Sequence, residues 1–343
     1  MQASKDLSIN NNCLSLIKLL AAFEVMAGHL VTHLKLPMSD AGEFVLYYYL
    51  GVPIFFVISG YLIWMSIGRS NSYGEYLKKR FWRIYPELWC AVAIEIITVV
   101  LLYNGYKGKD LLAFTFTQAT VFQFWTPDSL RGYGCGTPNG TLWTMCVMIQ
   151  FYIVSWFIYR TYHKRSISVW TVTLLALIGL SVLGQMMFDN IGIEVLTKLY
   201  SQTIIRYGWL FFFGCFMAEH KKLIVDGFLV RYWHVILLLA VVPYATRFDL
   251  YAGYYVVHSC LLVSGLIGFA YAYPKLAIKP DLSYGIFLYH MIVVNVFINF
   301  GWTENWAYAA AVAVITVLLS YVSMRTVGTW SAKRKVTLHD NNN

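Results

Sequence analysis

Long apolar runs, broken by short polar and mostly basic stretches, set the pattern of this chain. Ten runs are candidates for membrane-crossing helices, at residues 13–34, 44–67, 88–103, 142–159, 169–188, 204–218, 232–245, 251–273, 282–300 and 305–326. About twenty apolar residues cross a hydrocarbon core of about 30 Å. The first run lacks the small-residue cleavage site of a signal peptide. The seventh is short, and losing it would flip the orientation of everything after it. Residues 111–125 are apolar as well, but their length and Gln118 and Gln123 suggest an interfacial or re-entrant piece. The pattern predicts an all-α integral membrane protein, a bundle of about ten transmembrane helices. A short segment, 1–12, precedes the membrane domain at 13–326, and a tail follows at 327–343. The first dozen residues and the Asn-rich tail from Ser331 are polar and are expected to be disordered. No second soluble domain or internal repeat emerges, which argues against a transporter built from duplicated halves.

Composition strengthens the membrane reading. Hydrophobic residues make up 59% and charged residues 13% of the chain, against about a quarter charged in soluble domains. Trp and Tyr gather at the ends of the apolar runs, where amphipathic rings favour the headgroup layer. The net charge of +9 raises nucleic acid as a partner, but the basic residues sit in short loops between spans, so membrane topology accounts for them instead. With the N-terminus inside, the inner loops take 18 of the 26 Lys and Arg and the outer loops 7, with Lys18 inside the first span. Both termini are therefore expected to be cytoplasmic. Five of the six cysteines (Cys13, Cys90, Cys146, Cys215 and Cys260) fall in or beside apolar runs, and Cys135 alone lies in a loop, so no disulfide framework is expected.

Ionisable residues inside apolar spans are costly and mark function by default. The first span holds Lys18, Glu24 and His29, with His33 near its far end. Lys18 and His29 are eleven residues apart, close to three helical turns, so they share a face at about 16 Å along the axis. The plainer alternative is that Lys18 snorkels to the headgroups and His29 bonds a backbone carbonyl. His29 and His33 have no third ligand for a metal. In "YLKKRFWRIYPELW", Lys79, Arg80 and Arg83 recur at three- and four-residue spacing, with Pro86 expected to interrupt the entry to the third span. Topogenic charge and a phosphate clamp are equally open readings of that cluster. "GVPIFFVISGYLI" places Ser59 and Gly60 in a span, where close helix packing is the first reading. Arg206 and His290 are lone ionisable groups in later spans. The outer stretch 104–141, with "RGYGCGTPNGT", has the length of a functional loop.

In order along the chain, these pieces resemble the membrane-bound acyltransferase-3 family, whose bacterial members acylate sugars on surface polysaccharides and other acceptors. Lys18 and His29 fit its basic-x10-His motif, where Arg is the commoner basic residue. "FFVISGY" fits its Phe-Phe-x-x-Ser-Gly-Phe pattern, and "RFWRIYP" its Arg-x-x-Arg-Ile-x-Pro loop. "LWTMCVMIQFY" is similar to its Leu-Trp-(Ser/Thr)-Leu-x-x-Glu-x-x-Phe-Tyr element, but Met148 stands at the acid position. "SYGIFLYH" fits its closing motif. The resemblance implies an O-acyltransferase, foremost an O-acetyltransferase, of the bacterial inner membrane. Its donor would be cytoplasmic acetyl-CoA and its acceptor a lipid-linked or polymeric glycan such as the O-antigen of lipopolysaccharide. No metal or nucleic acid is implied; membrane lipid is the remaining partner. His29 and Lys18 would serve the chemistry, while Arg80, Arg83, Lys79 and Lys18 hold the donor. Ser59, Trp143, Tyr152, Arg206 and His290 would support the substrate or the structure. A transporter or flippase with a basic pore, or a catalytically retired relative, are the alternatives.

Overall fold

The computed structural model describes residues 11–247 and 253–340. Residues 1–10, among them Lys5, the first two residues of the 251–273 run and the last three residues of the tail lie outside the described residues. Every regular element among the described residues is helical. Helix α1 is Leu14–His33, α2 Asp40–Tyr48, α3 Gly51–Ile67, α4 Tyr73–Leu102 and α5 Gly108–Ala119. Helix α6 is Trp143–Tyr162, α7 Ile167–Ile191, α8 Glu194–Tyr200, α9 Ile204–Glu219 and α10 Val230–Thr246. Helix α11 is Gly253–Ala272, α12 Ser283–Asn299, α13 Trp306–Ser323 and α14 Thr329–Asp340. Among the described residues, eight helical stretches are long and apolar enough to cross a membrane. The expected runs at 204–218 and 282–300 form helices of 16 and 17 residues.

Four expectations change. The second run is not one helix: it breaks at Tyr49–Leu50 into α2 and α3. Pro53 is the third residue of α3, where a missing amide hydrogen costs no helical bond. Pro86, expected to interrupt the third span, instead lies inside the unbroken 30-residue α4. It removes the one helical bond to the Trp82 carbonyl, a cost offset by the packing of Ile84 before it and Leu88 and Ala91 after it in the core of the second unit. The weak seventh run is the second half of a 25-residue stretch, Lys222–Thr246, because wide π turns at Lys222–Leu229 lead straight into α10. The tail from Ser331, expected to be disordered, continues as α14 to Asp340, with Trp330 stacked edge-on to Trp82 of α4 at 5.4 Å.

The chain divides into two compact units, and α1 contributes to both. The first comprises residues up to Ala21, Tyr47–Arg69 and Val154–Asp281. There α3 and α9 meet backbone to backbone. A Cβ on Gly60 would lie 2.0 Å from the Phe211 carbonyl oxygen, and one on Gly214 2.0 Å from that of Val57. Gly60 thus does serve helix approach. The start of α1 is tied in by Cys13 N–H donating to the Ala270 carbonyl at 2.9 Å.

The second unit holds Ala22–Leu46, Ser70–Ile153 and the chain from Leu282 on. Its core joins Ile84, Leu88, Ala91 and Val92 of α4 to Leu142, Met145 and to Phe287, Leu288, Tyr289 and Ile292 of α12. Tyr284 donates to the Ile84 carbonyl at 3.0 Å and Asn299 to that of Leu102 at 3.0 Å, so α12 runs beside α4 in the same direction. The loop before α6 is pinned to α12 by Asn295, which is fully buried. Its Oδ1 accepts from Cys135 N–H at 2.8 Å, and its Nδ2 donates to the Thr137 and Pro138 carbonyls at 3.0 and 2.7 Å. Farther down, Asn139 donates to the Leu288 carbonyl at 3.0 Å.

Two outcomes follow from these contacts. Gly214→Ala, which forces a methyl into the Val57 backbone, should lower the stability of the detergent-solubilised protein by about 1–3 kcal/mol, read as a drop in thermal midpoint. Asn295→Leu removes all three loop bonds, and Gly134→Ala puts a Cβ 2.0 Å from Asn295 Oδ1 at a φ of +56°. Both variants should speed tryptic cleavage after Arg131 several-fold relative to the native chain; equal rates would show that the loop is held elsewhere.

Candidate active site

Helical spacing puts His29 and His33 one turn apart on α1, and their ring centroids lie 5.6 Å apart. Across from them α12 carries His290, which is completely buried. The His29 and His290 rings lie nearly parallel, with centroids 5.2 Å apart, and His29 Nδ1 is 2.9 Å from His290 Nε2. His290 Nδ1 is 2.8 Å from the Ile286 carbonyl oxygen, one turn back on its own helix.

The protons in this chain are fixed by elementary rules. A carbonyl oxygen only accepts, so His290 carries its proton on Nδ1. In a neutral ring the other nitrogen is then an acceptor, and His29 Nδ1 must be the donor to it. His29 is left with an unprotonated Nε2 as the free end of the chain. The arrangement is a base aimed by a second ring, which is itself aimed by the backbone. His290, expected only as support, is therefore the direct partner of His29.

The basic cluster on α4 begins with a cap. Ser72 accepts from Glu75 N–H at 3.2 Å, and Glu75 accepts from Asn71 N–H at 2.8 Å. Glu75 also holds Lys79 in an i,i+4 ion pair at 2.5 Å, so part of the expected cation set is already neutralised. Arg80 and Arg83 lie three residues apart on the same helix. The Arg80 guanidinium lies over the rings of Tyr76 and Tyr152, at 5.5 and 6.0 Å, and that of Arg83 over Tyr284, at 5.9 Å. Three separate sequence motifs thus meet at one shelf. Tyr284 and His290 are six residues apart on α12, about 9 Å along the helix.

Lys18 belongs to the first unit. Its ammonium pairs with Asp281 in the first unit, near the opposite end of α1 from His29. Arg206 also belongs to the first unit, where its backbone carbonyl accepts from Ser181 at 2.7 Å. Ser59 sits there on α3 beside the Gly60 contact. Trp143 opens α6 in the second unit, the unit of both histidines. Met148, at the position of the motif acid, is a buried apolar residue on that helix. Among the described residues no group of three His, Cys, Asp or Glu side chains is placed to hold a metal.

Several polar residues of the site escaped the sequence reading. Asn295 and Asn139 are uncharged and common in loops and helices, so nothing in the sequence distinguished them. Glu95 is different. It stands in the apolar run 88–103 and meets the same criterion that singled out Lys18 and His29, an ionisable group within a span.

A family model described as "Acyltransferase domain", acyltransferase type 3, matches residues 11–325. The chain is 28% identical to Nodulation protein 10 of Rhizobium leguminosarum bv. viciae, over 96% of this chain and 95% of that protein. It is 27% identical to the O-acetyl transferase of Shigella phage Sf6, over 92% of this chain and 95% of that one. A shorter match, 26% identical over 31% of this chain and 19% of the relative, is to the peptidoglycan O-acetyltransferase OatA of Listeria monocytogenes. No solved structure matches. With the histidine chain, the arginine shelf and a family match running from before α1 to the end of α13, this protein belongs to the acyltransferase-3 family.

Proposed function

We propose that the chain is an O-acetyltransferase that moves an acetyl group from cytoplasmic acetyl-CoA to a hydroxyl of a cell-surface polysaccharide, such as an O-antigen, at the bacterial inner membrane. The observation that carries this reading is the free Nε2 of His29 at the end of the His29–His290–Ile286 chain. The family and the relatives named for O-acetyl transfer support the class of reaction. The excess of basic residues in alternate loops supports placing the Arg80 and Arg83 shelf, with both termini, on the cytoplasmic side.

In this scheme Arg80 and Arg83 engage the phosphates of the donor, since guanidinium geometry suits phosphate oxygens. Lys79 and Lys18 are each paired with a carboxylate, so neither is assigned a phosphate here. The thioester reaches His29 along the bundle. His29 Nε2 takes the proton of the acceptor hydroxyl as its oxygen attacks the thioester carbonyl. The carbon–sulfur bond breaks, and the proton passes from Nε2 to the departing thiolate, so no net proton is consumed. As the His29 ring becomes cationic, its Nδ1–H bond to His290 strengthens, which stabilises the charged state. The same Nε2 is equally placed to attack the thioester itself and carry the acetyl group to the acceptor in a second step. Trp143, with the Asn295-held loop, shapes the acceptor side, while Tyr152, expected to do the same, lies against Arg80 at the donor shelf.

In membranes supplied with acetyl-CoA, His29→Ala should abolish acetylation of the glycan while CoA binding survives. Arg83→Ala should instead weaken CoA binding, by about tenfold if one charge-assisted phosphate contact is lost. Native acetylation by His29→Ala would remove the mechanism. His290→Leu deprives His29 of its acceptor, so turnover should fall by about two to four orders of magnitude at unchanged donor affinity. Lowering the pH should suppress the native rate as His29 gains a proton, since an imidazolium has no lone pair on Nε2.

A further inference from the structure

Among the ionisable groups of the second unit that the mechanism above does not use, one is both fully buried and unmatched at its carboxyl oxygens. Glu95 of α4 is completely buried, and neither of its carboxyl oxygens has a hydrogen-bond partner among the described residues. An acid buried this deeply, in a segment read as crossing a membrane, is expensive unless something bonds to it. Buried polar atoms left unmatched by the protein point to a ligand or to an ordered water.

Its place in the unit narrows the choice. Beyond the shared core of Leu88, Ala91 and Val92 with Leu288, Tyr289 and Ile292, the next turn brings Glu95 on α4 and Asn295 on α12. Asn295 holds the loop at Cys135, Thr137 and Pro138. Tyr133 of the same loop lies within electrostatic reach of Glu95 and packs with Val99, one turn farther along α4. Glu95 therefore lies in a polar layer immediately beyond His290, on the side away from the arginine shelf. Helix α6 offers no acid to this unit at position 148.

We propose that the Glu95 carboxyl is the subsite that hydrogen-bonds a hydroxyl of the acceptor sugar, on the side of His290 away from the arginine shelf. This rests on the transferase reading above and deepens it. A carboxyl suits a polyhydroxylated ligand because it both accepts from hydroxyls and, when protonated, donates to them. The position also separates the two substrates: the phosphates of the donor bind at one end of α12, and the acceptor binds past His290 toward the other.

The test uses the full-length protein in nanodiscs with acetyl-CoA and a panel of methyl glycosides as acceptors, following acetylated product by mass spectrometry. Glu95→Leu is the informative variant. Replacing an unmatched buried carboxyl with an apolar group of similar volume should leave the thermal midpoint unchanged or raise it. Its acceptor KM should nevertheless rise about tenfold or more, with CoA affinity within about twofold of native. Glu95→Gln, which keeps an accepting oxygen, should fall between the two. An unchanged acceptor KM in Glu95→Leu would overturn the proposal. So would a lowered midpoint with a parallel loss of CoA affinity, which is the signature of a merely structural carboxyl. A native protein as inactive as His29→Ala overturns the transferase reading and this inference with it. Native activity with a normal Glu95→Leu sinks the inference alone.

Discussion

A polar group in hydrocarbon must find its partner within the protein, because no solvent will supply one. That constraint orders the second unit. His290 is fully buried, and it is satisfied by the Ile286 carbonyl on one side and His29 on the other. The two contacts fix which nitrogens carry protons, and so leave His29 Nε2 unprotonated. An imidazole in water would exchange tautomers freely. Here the backbone of α12 makes the choice.

The same helix explains why distant motifs act together. Over the 17 residues of α12, Tyr284 lies under Arg83, His290 aims His29, Asn295 holds the outer loop and Asn299 bonds the end of α4. These contacts are side chain to backbone, ring to ring or ring to charge. Arginine shelf, imidazole pair and loop therefore share one rigid reference, at heights set by the helical rise. Helix α1 has a more divided character. Its first turns are fastened by Cys13 to Ala270 and by Lys18 to Asp281, while its later turns carry the histidines.

Much of the fold was legible in the sequence because hydrocarbon imposes so simple a rule. Apolar length located the spans, and the failures occurred where local chemistry contended with tertiary contact. Pro86 read as a break, yet α4 is continuous, since packing on both sides of the proline offsets one lost backbone bond. The polar tail from Ser331 read as disorder, because composition does not reveal that α13 continues through wide turns into α14. The FFVISGY segment read as packing, and the close backbone approach at Gly60 bears that out.

The sequence by itself determined the helical membrane class, the places of most of the long apolar stretches and the histidine, arginine and loop segments that the second unit brings together. It did so because hydrophobicity, periodicity and charge are properties of neighbours along the chain. Partnership was decided only by tertiary structure. Lys18 and His29 share a helix face, yet Lys18 is paired with Asp281 while His29 is aimed by His290, 261 residues away. Lys79 is taken up by Glu75 while Arg80 and Arg83 rest on tyrosines from other segments. Which nitrogen of a histidine is basic, and which buried acid lacks a partner, depend on atoms brought together from distant parts of the chain, and no local pattern encodes them.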